Sequence, residues 1–305
     1  MTFGRLRARA GRALVVGPPY LWLVVFFLVP FAIVLRISLS DPVTAQPPYT
    51  PLLDWHGRLA DWRDFLLALD FDNFETLWGD DLYLSAALSS IRIALVSTAI
   101  LLLVGYPLAH AMARAPAAAR PALLGLVILP FWTSFLIRVY AWIGILKNEG
   151  LLNQILLGLG LVAQPLSILN TPTAVYIGMV YAYLPFMVLP LYASLERLDP
   201  TLLEAAEDLG ARPAKAFWTV TVPLSMPGIV AGSLLCFIPI VGEFVIPDLL
   251  GGSDTLMIGK TLWSEFFSNR DWPLASAVAV VLLLIIILPI VIYREIEAQR
   301  WEGRP

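Results

Sequence analysis

The chain has 305 residues, of which 59% are hydrophobic and only 14% are charged, and its net charge is −3. Soluble domains carry about 25% charged residues, so this composition excludes an ordinary soluble protein and indicates one that is integral to a membrane. A single cysteine (Cys236) excludes a disulfide framework, and two histidines far apart in sequence (His56 and His110) argue against a Cys/His metal centre.

The N-terminus combines basic residues with an apolar run, which superficially resembles a secretion signal. Four arginines precede the apolar residues 20–35. No small-x-small cleavage site follows the apolar run, because a polar segment begins at Arg36 instead. We therefore predict that residues 1–16 form a basic tail and that residues 17–38 are a retained first transmembrane helix.

Long apolar segments recur along the whole chain. A hydrocarbon core about 30 Å thick requires about 20 apolar residues in a helix. The fifth qualifying segment is interrupted by Pro239, Gly242, Glu243 and Pro247. We predict an all-α integral membrane protein with about six transmembrane helices, at 17–38, 84–108, 122–146, 172–194, 226–250 and 273–293.

The distribution of charge predicts the orientation of these helices. The N-terminal tail carries four arginines and no acid, whereas residues 39–83 contain nine acids and two arginines. By the positive-inside rule, both termini are cytoplasmic and residues 39–83 form an acidic external loop. The loop is also rich in Trp and Phe, which fits either an aromatic belt at the membrane interface or a docking surface for an external protein. The segment 199–223 and the tail 294–305 then lie in the cytoplasm.

The polar segment between the fourth and fifth predicted spans has a helical pattern of its own. A helix is favoured over 202–209, with Asp199 or Thr201 as its N-cap. Gly210 follows at the position where a residue in the left-handed conformation commonly ends a helix. We predict a second short helix over 214–220, so that two short helices meet at a glycine corner.

The same segment carries a sequence pattern with long and specific spacing. It resembles the cytoplasmic E-A-A loop of ATP-binding cassette (ABC) importer permeases. The resemblance implies a type I ABC importer permease fold, with a transmembrane domain at 84–293 and a coupling loop at 199–223. It also implies that the residues of the pattern contact a separate ATPase. These residues are Glu204, Ala205, Ala206, Gly210 and Pro223.

The resemblance further implies which components this chain works with. An importer of this class combines two permease chains, two copies of an ABC ATPase and a periplasmic solute-binding protein in the lipid of the bacterial inner membrane, and we expect the second permease to be a different chain. The sequence has no G-x-x-x-x-G-K-[ST] loop, so we expect ATP and magnesium on the partner ATPase. This chain is then a transporter subunit and not an enzyme, with no cofactor of its own and no nucleic acid partner.

Four further stretches resemble the polyamine (putrescine/spermidine) branch of these permeases. Within that branch, the likeness is strongest to the permeases of putrescine importers. Branches for iron, thiamine, phosphonate and sulfate share the overall fold and the E-A-A loop, so another solute remains an alternative. The stretches are 134–142, 148–153, 239–252 and 269–273.

Glu243 is the leading candidate for a contact with the solute. An ionisable residue at membrane depth is costly unless it faces a protein interior or water, so it is a functional candidate by default. Beside carbonyl groups freed by Pro239 and Gly242, its carboxylate would suit an ammonium group. Aromatic rings can hold alkylammonium groups by cation–π contact. The further candidates for the path are Asp248, Tyr140, Trp142, Tyr181 and Tyr183.

Other hypotheses for the same residues stay open at this point. Glu243 could form a structural ion pair with Arg92 or Arg138 within the helix bundle, and the aromatic residues could serve as packing or an interface belt. Glu243 could also be the proton site of an ion-driven secondary transporter, but such a transporter has no use for a loop that binds an ATPase. An integral membrane enzyme is a third class, for which the sequence shows no recognisable constellation of catalytic groups.

Overall fold

The computed structural model describes residues 14–52, 59–253 and 255–302. Most of them are helical, and two short antiparallel strands pair Asp41 with Thr50 and Pro42 with Tyr49. The described residues form two compact units. One unit contains the residues up to 84 together with 262–287, and the other contains 85–261 together with the residues from 288 onwards. Most of the predicted basic tail, at residues 1–13, lies outside the described residues.

The helices are numbered here in chain order. Short π-helical turns occur at Val24–Leu28, Phe217–Thr221 and Ser264–Asn269, and a 3-10 turn follows α5 at Leu129–Trp132. The strands are β1 (Asp41–Pro42) and β2 (Tyr49–Thr50). The helices are α1 (Leu14–Ile37), α2 (Leu59–Leu67), α3 (Asp72–Gly79), α4 (Asp81–Arg114), α5 (Arg120–Ile128), α6 (Phe135–Leu146), α7 (Leu151–Gly158), α8 (Pro172–Glu196), α9 (Thr201–Asp208), α10 (Pro213–Leu224), α11 (Met226–Val241), α12 (Val245–Leu250), α13 (Ile258–Trp263) and α14 (Trp272–Glu302).

Four of the predicted spans are continuous helices, and the prediction of an all-α membrane fold is confirmed. Each is long and apolar enough to cross a bilayer: Leu14–Ile37, Asp81–Arg114, Pro172–Glu196 and Trp272–Ile292. The last helix continues to Glu302, so the tail predicted from residue 294 is helical over its described part. Two bent helix pairs raise the number of spans to six if each pair counts as one.

The third predicted span, at 122–146, is wrong as a continuous helix. The chain turns by 88° between Arg120–Trp132 and Phe135–Gly158. Pro130 lacks an N–H for the helical ladder, and Thr133 leaves the helical conformation with its hydroxyl donating to the Pro130 carbonyl at 2.9 Å. The apolar pattern predicted the location of this segment, but the local hydrogen bonds at Thr133 set the bend.

The fifth predicted span, at 226–250, is also divided. Helix α11 ends at Val241, the backbone is irregular from Gly242 to Phe244, and α12 begins at Val245. The predicted interruption is therefore confirmed at Gly242 and Glu243. A second bend, of 64°, separates α10 from α11 at Ser225.

In the first unit, a buried asparagine fixes the segment that follows α1. Asn73, on α3, donates from its side-chain amide to the carbonyl oxygens of Ser38 at 3.1 Å and Ser40 at 2.8 Å. Because a buried amide without partners is costly, these bonds hold α3 against the end of α1. In the same unit the buried Glu265 accepts hydrogen bonds from the Tyr83 hydroxyl and the Asn269 amide.

In the second unit, two glycines allow close contact between α8 and α11. Gly228 and Gly232 are four residues apart and so lie on one face of α11, where small residues let two membrane helices approach. A Cβ atom added at Gly228 would lie 2.8 Å from the Pro190 carbonyl oxygen and 3.2 Å from the Leu191 Cα. One added at Gly232 would lie 2.9 Å from the sulfur of the buried Met187.

We expect Gly228→Ala to destabilise the folded chain in detergent. The added methyl group meets backbone atoms of α8 that cannot move aside, and overpacking of this kind costs about 1–3 kcal/mol. The measurement is the midpoint of thermal unfolding, followed by loss of the monodisperse peak in size-exclusion chromatography. Gly144→Ala is the matched control, because nothing lies within 4 Å of its added Cβ. An equal midpoint for the two variants would contradict the role of Gly228.

Candidate functional site

The polar segment predicted from the sequence forms two short helices, α9 and α10. The Asp199 carboxylate accepts the backbone N–H of Thr201 at 3.0 Å just before α9 begins. Hydrogen bonds from the backbone and hydroxyl of Thr201 lower the pKa of Asp199, so the carboxylate stays ionised beside the positive end of the helix dipole. The N-cap position is Pro200 and not the predicted Asp199 or Thr201, so the Asp199 carboxylate binds the first residue of α9 from one position before the cap.

Gly210 makes the corner between the two helices. Its φ angle is +81°, in the left-handed region that other residues adopt at a cost. The N–H of Gly210 donates to the Glu207 carbonyl at 2.8 Å, and that of Ala211 donates to the Ala206 carbonyl at 3.0 Å. These two bonds satisfy the last carbonyl groups of α9 and fix the direction in which the chain leaves it.

The outer surface of this corner is open to a partner. Glu204, Ala205 and Pro223 are exposed, and Ala206 is half-buried. Leu209 is 90% exposed and Trp218 is 68% exposed, although both side chains are large and apolar. Apolar side chains clustered beside charged ones on an exposed surface are typical of a site for another protein.

A second candidate site is a cavity of about 550 Å³ in the second unit. It brings Glu243, Tyr183 and Arg138 together from three separate segments of the chain. The sequence analysis missed its aromatic and aliphatic lining. Phe135 precedes Arg138 by three positions, and Phe186 follows Tyr183 by three, so helical spacing could have identified both. The remaining lining residues are Phe131, Phe135, Ala182, Phe186, Leu234, Leu235, Ile238 and Pro239.

Glu243 is held in the irregular backbone between α11 and α12. One carboxylate oxygen accepts the Tyr183 hydroxyl at 2.5 Å. The other accepts the backbone N–H groups of Phe244 at 3.2 Å and Val245 at 3.0 Å. The side chain thereby satisfies the free N–H groups at the start of α12, and its position is fixed from both sides.

Arg138 lies in the same cavity but does not pair with Glu243. Its guanidinium carbon is 5.4 Å from the ring centre of Phe131 and 5.8 Å from that of Phe135. Its Nε and Nη1 atoms are buried and have no hydrogen-bond partner among the described residues. A guanidinium can rest on aromatic faces by cation–π contact, which accounts for this placement.

The structural ion pair of Glu243 with Arg92 or Arg138 is not formed. The ion pairs within residues 14–52, 59–253 and 255–302 join Arg120 to Glu196 at 3.3 Å and Lys260 to Asp248 at 3.3 Å. Arg92 is exposed on α4 in the isolated chain. The carboxylate of Glu243 already has three donors from Tyr183 and the backbone, which is the physical reason that it needs no arginine.

The other residues predicted for the path do not line this cavity. Trp142 and Tyr181 contact each other edge to face, with ring centres 5.3 Å apart, as packing would require. Tyr140 is 58% exposed, and Asp248 faces Lys260. The cavity therefore unites Glu243 with Tyr183 alone among the predicted path residues.

The spans, the exposed two-helix corner and the aromatic-lined cavity between helices are those of a membrane transport subunit. A family model described as "Binding-protein-dependent transport system inner membrane component" matches residues 102–298. The chain belongs to this family, and it is the permease subunit of an ABC importer, which is not itself catalytic. This assignment argues against an ion-driven transporter and against a membrane enzyme.

Curated relatives agree with the family. The chain is 41% identical to the spermidine/putrescine transport system permease protein PotB of Haemophilus influenzae, over 89% of each chain. It is 44% identical to PotB of Escherichia coli K12, over 74% of this chain and 82% of the relative.

A solved structure agrees with the fold. The chain resembles a bacterial alginate ABC transporter in complex with an alginate pentasaccharide-bound periplasmic protein. The TM-score is 0.64 at 17% identity, and the likeness covers 97% of this chain and 98% of that chain. It supports the fold of a type I ABC importer permease.

We expect Gly210→Val to reduce solute uptake severely while membrane insertion stays normal. A β-branched residue is strained at φ +81°, so the corner between α9 and α10 should change its direction. Gly210→Asn is the matched control, because asparagine tolerates the left-handed region better than other residues with a Cβ atom. The measurements are uptake into cells and the amount of permease in the membrane fraction. Equal uptake by the two variants would contradict the need for this backbone conformation.

Proposed function

We propose that this chain passes a polyamine, putrescine or spermidine, across the inner membrane, driven by a separate ATPase that binds the α9–α10 corner. The observation that carries the proposal is the carboxylate of Glu243 in an aromatic-lined cavity between membrane helices. The names of the PotB relatives point to the same class of solute.

The chemistry of the cavity suits an alkylammonium group. A carboxylate attracts an ammonium group strongly where little water screens it. The rings of Phe131, Tyr183 and Phe186 line the same space, and their faces can hold the methylene chain and the charged end of a polyamine. The bonds from Tyr183 and the backbone keep the carboxylate in place, so little ordering is required when a solute enters.

The proposal includes the partners that the family pattern implies. A different permease chain would complete the pathway, two copies of an ABC ATPase would bind the two coupling loops, and a periplasmic protein would deliver the solute to the external side. Both termini would be cytoplasmic. The large apolar side chains exposed in the isolated chain, such as Trp132 at 80%, support a second membrane subunit or lipid as their neighbour.

A second candidate solute carries a negatively charged group. It is favoured by Arg138, whose Nε and Nη1 atoms are buried in the cavity without a hydrogen-bond partner in the described part of the chain. A guanidinium offers paired donors to a carboxylate, sulfate or phosphonate. Such a solute would bind at Arg138 rather than at Glu243. The two candidate solutes therefore predict that substitution of different residues would impair uptake.

ATP hydrolysis by the assembled importer tests the proposal. The permease would be co-expressed with its partner subunits, placed in lipid nanodiscs with the binding protein, and titrated with putrescine, spermidine, iron, thiamine, sulfate and a phosphonate. We expect stimulation by a polyamine. Stimulation by sulfate or a phosphonate instead would favour the second candidate. If no ATPase co-purifies with the permease, the proposed coupling function fails.

We expect Glu243→Gln to raise the apparent KM for polyamine uptake by about ten-fold or more, because a hydrogen bond to a charged group contributes about 1.5–3 kcal/mol. The glutamine keeps an acceptor for the N–H groups of Phe244 and Val245, so the backbone break should persist. Glu75→Gln, at an exposed acid on α3, is the matched control. An unchanged KM for Glu243→Gln would remove Glu243 from the solute path.

A further inference from the structure

Three aromatic rings connect the coupling corner to the long helix α4. Phe217, the first residue of the π-helical turn in α10, packs edge-on against Tyr106 with ring centres 5.6 Å apart and an interplanar angle of 89°. It packs in the same way against His110, at 5.7 Å and 90°. Tyr106 and His110 are one helical turn apart on α4. We call Phe217, Tyr106 and His110 the ring cluster.

Tyr106 also contacts the other end of α10. Its hydroxyl oxygen lies 2.8 Å from the hydroxyl oxygen of Ser225, in a buried hydrogen bond. Ser225 is the residue at the 64° bend between α10 and α11, and its hydroxyl lies 3.0 Å from the Val222 carbonyl. One buried side chain of α4 therefore touches both the start of the π-helical turn and the bend that leads into the membrane.

Helix α4 in turn touches the helix that carries Tyr183. A Cβ atom added at Gly105, the neighbour of Tyr106, would lie 2.9 Å from the Met187 side chain of α8. Met187 is fully buried and lies one turn after Tyr183, which lines the cavity with Glu243. Contacts thus run from α10 through the ring cluster and the neighbouring Gly105 to Met187, which lies one helical turn from the cavity residue Tyr183.

These contacts have the properties that mechanical transmission needs. Edge-to-face ring pairs depend on angle as well as distance, so α10 cannot rotate without moving α4 or breaking the pairs. Close-packed contacts move between discrete arrangements and do not deform continuously. The π-helical turn at Phe217 departs from regular helix at the same point, and such turns occur frequently at functional sites.

We propose that the ring cluster is the relay that converts displacement of the α9–α10 corner into movement of α4 and, through Ser225, of α11. This inference rests on the proposed function, because it requires an ATPase to move the corner. Phe217, Tyr106 and His110 act through other residues and touch no solute, so they are positioning residues. A cluster that only stabilises the fold would alter the amount of folded permease and leave the coupling of hydrolysis to transport intact.

The test measures the ratio of solute transported to ATP hydrolysed by the full complex in proteoliposomes. We expect Phe217→Ala and Tyr106→Ala to lower this ratio about five-fold or more, which is the lower end of the range for coupling between two sites. The ATPase should still co-purify with both variants. The loss in the double variant should be smaller than the product of the two single losses, because both single variants break the same Phe217–Tyr106 contact. Tyr106→Phe keeps the ring and loses the bond to Ser225, so its ratio should lie between those of wild type and Tyr106→Ala.

Leu103→Ala is the matched control, since Leu103 is 75% exposed on α4 near Tyr106 and should leave the ratio unchanged. An unchanged ratio in both Phe217→Ala and Tyr106→Ala would overturn the relay. Equal losses of transport and hydrolysis would also overturn it, because the cluster would then only support ATPase binding. If Phe217→Ala fails to insert into the membrane, Phe217→Leu is measured in its place, and we expect the same loss in the ratio of solute transported to ATP hydrolysed. If the wild-type permease binds no ATPase, the proposed function fails first and the relay fails with it.

Discussion

The close approach of α4, α8 and α11 around Met187 is the constraint on which the rest of the second unit depends. Gly105 and Gly232 each leave out the Cβ atom that would otherwise collide with this side chain. Lipid tails are as apolar as the side chains they replace, so membrane helices gain stability from such close packing and from hydrogen bonds. This contact sets the spacing between α8 and α11 and thereby the width of the cavity lined by Tyr183 and Glu243.

The polar groups of the cavity illustrate how a membrane protein can keep a carboxylate between its helices. Glu243 lies where the helical ladder stops, and it serves as the acceptor for the backbone N–H groups that the break leaves free. The break in the helix therefore explains why an acceptor is needed at this position, and the N–H groups that it leaves free hold the carboxylate in place. The Nε and Nη1 atoms of Arg138 have no hydrogen-bond partner among the described residues, and the guanidinium rests on two phenyl rings, so the cavity holds one satisfied acid and one guanidinium with unused donors.

The two bends and the α9–α10 corner share one feature, because each lies at a residue where the regular helix ends. Gly210 closes α9 with a left-handed residue, Ser225 marks the entry to α11, and Gly242 marks its end. Hinges in proteins commonly lie at the ends of such elements, because a few residues there absorb the change in backbone angles. A force on the exposed surface of α9 and α10 would reach the membrane through the contacts of Phe217 and Tyr106, since these side chains join α10 to α4.

The sequence by itself determined the membrane class, the location of the six apolar segments and the α9–α10 corner with Gly210 in its left-handed conformation. These features depend on hydropathy and on local backbone preferences, which are properties of neighbouring residues. It did not determine the 88° bend at Thr133, because a hydroxyl that bonds its own backbone leaves the apolar pattern unchanged. Only the tertiary structure decided that Glu243 meets Tyr183 and not an arginine, and that Asp248 faces Lys260. The Glu243–Tyr183 pair joins residues 60 positions apart, and the packing of α8 against α11 selects it among several partners that composition alone leaves equal.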